Sequence, residues 1–166
     1  MSHNSIRVAN DFLVRAEQDK KPIVSVLKLI KLVYIAHGYY LAMSDKPLIS
    51  GKVETWKHGP VIPDVYEAFE NQIGLNLPLL QVETRLRRFY EGDLADDKTA
   101  QTVMGRVWQV YGGFSRQQLS DITHQHSTPW HKTVAKHGLY SVIKNSLIKK
   151  YYRDKMKDVA EARRKS

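Results

Sequence analysis

Four histidines and one aspartate are concentrated in the last third of the sequence, and imidazole and carboxylate side chains at short spacing are common ligands of zinc and iron. The group consists of Asp121, His124, His126, His131 and His137. Its spacing matches no tight ligand pattern, because His126 and His131 lie on either side of a proline-containing break and need not converge. We therefore expect hydrogen-bonded structural histidines and no metal site. A metal-dependent enzyme built on His124, His126 and His131 is kept as an alternative.

Other catalytic groups are poorly represented. The chain has no cysteine, which excludes thiol nucleophiles, thiolate zinc sites and disulfides. Serine, histidine and aspartate are present, but no Gly-x-Ser-x-Gly elbow marks a nucleophile. Gly112-Gly113 follows a predicted helix, whereas a phosphate-binding loop places its glycines between a strand and a helix. The sequence thus predicts a protein that is not an enzyme and uses no cofactor.

Positive charge is concentrated at the C-terminus. Residues 144–166 contain nine lysines and arginines against three acidic residues, a net charge of +6 out of +9 for the whole chain. Arg153 and Lys157 in this segment are candidate partner-binding residues. A basic helix here is also suited to nucleic-acid phosphates, with Tyr151 and Tyr152 stacking on bases. The competing interpretation is that both tyrosines pack on the protein's own core.

Aromatic and basic residues mark two further candidate binding segments. In the first, Trp56-Lys57-His58-Gly59-Pro60 is followed by Tyr66, and exposed aromatic residues are typical anchors for a protein partner. Trp56, His58 and Tyr66 are therefore candidates, although a Trp56 buried beneath the turn is the expected state. The second is the basic run Arg85, Arg87 and Arg88, in a segment over 72–94 that we interpret as a loop with a short strand.

Hydrophobic residues at helical spacing, together with capping residues, predict the elements that position these groups. The predicted N-caps are Asn4 or Ser5, Ser25, Asp97, Ser115, Thr128 and Asn145. The helix after Ser25 is apolar on almost every side and is expected to form the core, while alternation around Val53 and Thr55 predicts a short strand. With 166 residues, 42% of them hydrophobic, the chain is expected to be mainly α: a compact single-domain helical bundle with one or two short β-strands.

The N-terminal segment lacks the features of a secretion signal, since no basic region precedes an apolar one in residues 1–10. No window of the sequence approaches the about 20 apolar residues of a membrane span. These observations predict a cytoplasmic protein that does not contact the membrane.

Four blocks of the sequence carry its most specific motifs. Lys31–Ala42 reads KLVYIAHGYYLA, Glu54–Pro63 reads ETWKHGPVIP, and Leu119–His124 and Ser127–Trp130 follow. In this order they resemble the Panacea domain of SocA-like antitoxins, a family often encoded by prophages and mobile elements, whose first two blocks read KLLYFAQGYYLA and EAWKYGPVVP. The resemblance covers roughly residues 6 to 152. It marks as fold signature Gly38, Tyr39, Gly59, Pro60, Pro63, Thr123, His124 and Trp130, whereas His37 and His58 depart from the pattern.

The resemblance implies an antitoxin that neutralises a cognate protein toxin, encoded by a neighbouring gene, through direct contact. It leaves open a protease adaptor that delivers the toxin for degradation. A nucleic-acid-binding regulator that uses the basic C-terminal helix is the remaining alternative. We divide the chain into a Panacea-like antitoxin domain, residues 1–152, and a basic C-terminal helical tail, residues 153–166.

Overall fold

The structure is a computed structural model that describes residues 2–73 and 93–165. Its helices are α1 (Ser5–Gln18), α2 (Val26–Ser44), α3 (Pro63–Ile73), α4 (Asp93–Asp96), α5 (Lys98–Tyr111), α6 (Arg116–His124), α7 (Pro129–His137) and α8 (Asn145–Lys165). Two strands, β1 (Glu54–Trp56) and β2 (Gly59–Val61), form a small antiparallel sheet. The prediction of a mainly α bundle with one or two short strands is confirmed. Most of the loop predicted over 72–94, with Arg85, Arg87 and Arg88, lies outside the described residues, and its last residues belong to the short α4.

Local capping explains where most helices begin. A side-chain oxygen accepts a backbone N–H hydrogen bond two or three residues further on at Asn4, Ser25, Asp97, Ser115 and Thr128, as predicted. Ser115 and Gln118 also form the predicted capping box. Asn145 is different, because it is the first residue of α8 and its amide oxygen accepts a hydrogen bond from His37 Nε2 at 2.9 Å. Its side chain is therefore used for a tertiary contact between α8 and α2.

Helix α2 forms the centre of the fold, and α1, α3, α5, α6 and α8 all pack against it. Its sequence is apolar on nearly every side, so most of its residues are buried. In length and composition α2 would suffice to cross a membrane, and the expectation that no such window exists is therefore wrong. However, 72% of this stretch is buried inside the fold, as in the core helix of a globular domain.

The two strands form a tight hairpin that a third segment extends. Glu54 lies opposite Val61 and Trp56 lies opposite Gly59, so only two residues separate the strands. On the other side of β1, the Thr55 N–H donates to the Ser141 carbonyl at 2.9 Å. The segment after α7 thus fixes β1 along its outer edge.

Helix α8 is buried in its first half and exposed in its second. The ring of Tyr152 lies directly on Gly38 of α2, where a Cβ atom would come within 2.2 Å of it. Glycine is therefore required for the two helices to approach this closely. Beyond this contact Arg153 donates to the Ala42 carbonyl at 3.2 Å, and the rest of the helix up to Lys165 is largely exposed. The proposed boundary at residue 152 falls within this continuous helix.

Candidate functional site

The hairpin turn is fixed to the core at the hairpin junction, which is formed by Lys31 of α2, Gly59 and Pro60 of β2, and Ser120 and Thr123 of α6. Lys31 Nζ donates to the Pro60 carbonyl at 2.7 Å. Gly59 has a φ of +115°, and a Cβ atom there would lie 3.2 Å from Lys31 Nζ and 3.4 Å from Thr123 Oγ1. Only glycine adopts this conformation readily, so the close approach of the turn to Lys31 depends on it.

Helix α6 contacts the hairpin turn through two hydroxyl groups. Ser120 Oγ donates to the carbonyl oxygen of His58 and so joins α6 directly to the turn. Thr123 Oγ1 donates back to the Leu119 carbonyl at 2.8 Å, which satisfies this buried hydroxyl within its own helix. Thr123 therefore presents a compact side chain to Gly59, and the turn is able to pack closely on α6.

A second connection reaches the hairpin through α7. His124 Nδ1 donates to the Ser120 carbonyl, and the imidazole ring lies 5.3 Å from the ring of Trp130 in an edge-to-face arrangement. Trp130 Nε1 in turn donates to the carbonyl oxygen of Trp56 at 2.9 Å. The position of the hairpin is thus set jointly by α2, α6 and α7, and each contact involves a backbone carbonyl of the turn.

Lys31 carries an amine that is buried without a carboxylate. Its side chain is 1% exposed, and within the described residues it makes one hydrogen bond, to Pro60, and no ion pair. Because burial disfavours the charged form, the pKa of Lys31 is lowered to about 7. The amine therefore gains or loses its proton close to neutral pH.

A small cleft opens above this amine. It has a volume of about 100 Å³ and is lined by Leu27, Lys31, His58, Arg116, Gln117 and Ser120. We call it the Lys31 cleft. Lys31 and Arg116 supply two positive groups to its lining, and none of the lining residues is acidic.

Three aromatic rings form a surface beside the hairpin. The Trp56 ring lies 5.0 Å from Tyr66 of α3 and 6.0 Å from Tyr140. We call these three residues the aromatic surface. Trp56 and Tyr66 are half-buried, so the prediction of a buried Trp56 is not met, and Tyr140 is 67% exposed.

Hydrogen bonds hold the rings of the aromatic surface in place. Trp56 Nε1 donates to Glu54 Oε1 at 3.0 Å, and the Tyr66 hydroxyl donates to Glu70 Oε1 at 2.6 Å. Tyr140 has a φ of +63°, a left-handed conformation that costs energy for a bulky residue. Its backbone N–H donates to the Thr55 carbonyl at 2.5 Å, which holds it against β1. The Trp56 and Tyr66 rings are thus held by side-chain hydrogen bonds, and Tyr140 is held through its backbone.

The predicted partner-binding residues fall into separate groups. Trp56, His58 and Tyr66 lie at or next to the hairpin, and the His58 side chain is exposed. Arg153 lies on α8, where it bonds the Ala42 carbonyl and approaches Asp45, and Lys157 is exposed one turn further on. No contact in the described structure joins the α8 group to the hairpin group.

The eight signature residues are positioned by packing and backbone geometry. Gly38 and Tyr39 receive the Tyr152 ring, Pro63 begins α3, and Gly59, Pro60, Thr123, His124 and Trp130 build the hairpin junction and its α7 connection. Their roles as fold residues stay a prediction, and these contacts supply its physical basis.

The histidines of residues 124–137 contact different neighbours. His124 faces Ser120 and Trp130, whereas His126 and His131 place their rings 4.5 Å apart. His137 is exposed in the last turn of α7. Across residues 2–73 and 93–165, no group of three or more histidines and acidic residues is arranged to hold a metal ion.

Two residues of this region were missed by sequence reasoning. Lys31 lies in a helical run in which a lysine is expected to point to solvent, and only the neighbouring apolar positions on every side hint at its burial. Tyr140 follows Gly138-Leu139 in a segment without hydrophobic period, so nothing local signals that it meets Trp56. Both contacts join residues far apart in the chain.

Comparison with known proteins places this sequence in a family. Residues 29–131, which include Lys31, the hairpin, α6 and Trp130, match the family described as Antitoxin SocA-like, Panacea domain. The chain belongs to this family. Antitoxin SocA of Caulobacter vibrioides is 33% identical over 129 residues, a match that covers 74% of this chain and 66% of that relative's length. No solved structure matches the chain.

Membership in the SocA-like, Panacea domain family confirms the resemblance drawn from the sequence blocks. The matched range ends at residue 131, so it contains the hairpin junction and excludes α8. Because the family is one of antitoxins, its membership supports a non-enzymatic role in a toxin–antitoxin system.

Proposed function

We propose that this chain neutralises a cognate protein toxin by binding it directly, with the aromatic surface as its anchor. The observation that carries the proposal is the cluster of Trp56, Tyr66 and Tyr140 in a member of an antitoxin family. A cytoplasmic location and a toxin encoded by a neighbouring gene belong to the same proposal.

The physical argument concerns side-chain type and rigidity. Tryptophan and tyrosine dominate the binding energy of protein interfaces, because they remove a large apolar area from water while keeping a polar group at the edge. Here the rings of Trp56 and Tyr66 are ordered by hydrogen bonds to Glu54 and Glu70, and the backbone of Tyr140 is bonded to the Thr55 carbonyl. Because these side chains are already ordered, binding costs little side-chain conformational entropy, and little affinity is lost.

Apolar residues beside the rings extend the same surface. Leu139 and Val142 flank Tyr140 in sequence and are 44% and 50% exposed. Val142 pairs with Glu54 across the outer edge of β1, which places it next to the hairpin. Exposed apolar side chains that are contiguous in this way mark interaction surfaces on soluble proteins.

The basic tail, residues 153–166, has an accessory role in this proposal. Lys157 and neighbouring cations extend beyond the packed part of α8 and attract an acidic partner over a longer range. A nucleic-acid function would depend on the same charges. Lys149 and Lys150, which precede the tail in α8, already pair with Asp45 and Asp154, so they add little positive charge for a nucleic acid, which favours the accessory role.

The first test is co-expression with the neighbouring open reading frame, scoring growth and co-purification. We expect the neighbour to inhibit growth, this chain to restore growth, and the two proteins to co-purify. Restored growth without a complex would favour delivery to a protease. A harmless neighbour, combined with salt-dependent binding of duplex or RNA, would favour the nucleic-acid regulator.

Single substitutions then test the aromatic surface. Tyr140→Asn removes an exposed ring and suits the left-handed backbone, so the fold is retained while toxin affinity falls about thirtyfold, the effect of losing a binding hot spot. Val110→Ala is the matched control, because Val110 is an exposed apolar residue on α5, 54% exposed. Equal affinities of the two variants would show that the toxin binds elsewhere.

A further inference from the structure

The role of Lys31 in the hairpin junction does not account for every feature of the Lys31 cleft. The junction uses one hydrogen bond from Lys31, to the Pro60 carbonyl. An ammonium group has three donors, so the remaining two find no partner among the described residues. A buried amine without a carboxylate is costly.

The lining of the cleft is arranged for a negatively charged group. Arg116 lies at its mouth on the first turn of α6 and makes no ion pair within the described part of the chain. The positive end of the α6 dipole lies at the same side. Gln117 shares the rim and donates to Asp121 at 2.8 Å, and this carboxylate is not part of the lining.

The size of the cleft limits what enters it. A volume of about 100 Å³ accommodates a carboxylate or a group of similar size. Lys31 is 1% exposed and lines the cleft, so an anion that fills the cleft meets a largely buried cation. Charge pairing with a buried group is stronger than at an open surface.

We infer that the Lys31 cleft receives the carboxylate of an acidic side chain on the protein partner, which pairs with Lys31 and Arg116. This inference rests on the proposed function and adds a polar pocket to it. The aromatic surface supplies apolar anchoring, while the cleft selects a partner with an aspartate or glutamate at the matching position. The pairing would fix the orientation of the partner relative to α6.

The first arm of the test uses acetate and does not require a toxin. Side-chain NMR signals of Lys31 are followed during titration with sodium acetate, against sodium chloride at equal ionic strength, below the pKa of about 7. We expect a saturable shift of these signals with acetate. The Arg116→Gln variant should bind acetate about fivefold more weakly, and Lys57→Gln, an exposed lysine outside the cleft, should not change it. A linear response, or equal affinities of all three proteins, would overturn the inference.

The second arm uses the co-purified toxin. Lys31→Met keeps the length of the side chain and removes its charge, and its thermal unfolding is measured alongside to show that it folds. We expect its affinity for the toxin to fall about tenfold or more, the usual cost of breaking a buried charge pair. Arg116→Gln, an exposed substitution, should lower the affinity in the same direction.

The two proposals fail in different ways. If no toxin binds the chain, the proposed function fails while the acetate titration still reports on the cleft. If the toxin binds Lys31→Met and Arg116→Gln as tightly as the original chain, the cleft inference fails alone. Binding of inorganic phosphate more than about tenfold tighter than acetate, together with that result, would assign the cleft to a free anion instead of a partner's carboxylate.

Discussion

The hairpin junction and the distal half of α8, residues 153–165, are held in very different ways. At the junction, α2, α6 and α7 each bond a backbone carbonyl of one short turn. The distal half continues a helix whose last buried residue is Tyr152. One region therefore has a fixed shape suited to selecting a partner, whereas the other supplies charge without a defined surface.

The largest effect is expected where α8 is seated on α2. Gly38→Ala should lower the free energy of unfolding by about 3 kcal/mol, because the new Cβ atom would lie 2.2 Å from the buried Tyr152 ring. Urea denaturation measures this. Gly113→Ala is the control, since a Cβ atom there meets nothing within 4 Å. Equal stability of the two variants would mean that α8 packs loosely on α2 at Gly38.

A second large effect should appear on acidification. Burial lowers the pKa of His37 to about 4, so between about pH 6.5 and 4 the unfolded chain binds a proton that the folded chain does not. Stability from this group should therefore fall by up to about 1.4 kcal/mol for each unit of pH decrease in that window.

The matched variant for this acid sensitivity is His37→Gln. Glutamine does not titrate and is able to bond both Asn145 and the Leu48 N–H, which His37 contacts at 2.9 and 3.3 Å. We expect its stability to vary less with pH between 6.5 and 4. Parallel stability curves for the two proteins would assign the acid sensitivity to other groups.

A smaller effect is expected at the junction. Trp130→Phe removes the hydrogen bond to the Trp56 carbonyl and part of a packed ring, so the free energy of unfolding should fall by about 1–3 kcal/mol. Toxin affinity should fall as well, because the Trp56 ring loses its support. Tyr140→Phe, which removes an exposed hydroxyl, should leave stability unchanged in the same urea experiment. A stable Trp130→Phe variant would show that the hairpin does not need α7.

The smallest effect on stability is expected in the distal half of α8. A chain that ends after Arg153 should lose less than about 1 kcal/mol, because it gives up only exposed contacts such as the Lys150–Asp154 pair. Its association rate with an acidic toxin should become less dependent on salt, measured by stopped flow. A Lys157→Glu variant of the full chain should likewise make the association rate less dependent on salt. A large loss of stability would contradict the contrast between the two regions.

Features set by neighbouring residues could be predicted from the sequence. Ser25, Asp97, Ser115 and Thr128 cap helices because their oxygens reach N–H groups two or three residues away. The apolar face of each helix and the short strand around Thr55 are equally local properties. They depend on periodicity and turn chemistry, which a single sequence displays.

The missed features depend on residues far apart in the chain. Asn145 has the side chain of a cap, but His37, more than a hundred residues earlier, competes for its amide oxygen. Tyr140 meets Trp56 only because the segment after α7 returns to β1. Lys31 is buried by a turn and a helix that a helical pattern does not reveal. Such contacts follow from topology, so composition and spacing alone do not predict them.

The contact between the Tyr152 ring and Gly38 also affects synthesis of the chain. The contact joins an early helix to the last one, so the core around α2 stays open to water until residue 152 has left the ribosome. A nascent or truncated chain therefore exposes the apolar face of α2 and is a substrate for chaperones and proteases. Translation must therefore continue past residue 152 before the Tyr152 contact covers α2, which ties the supply of this protein to uninterrupted protein synthesis.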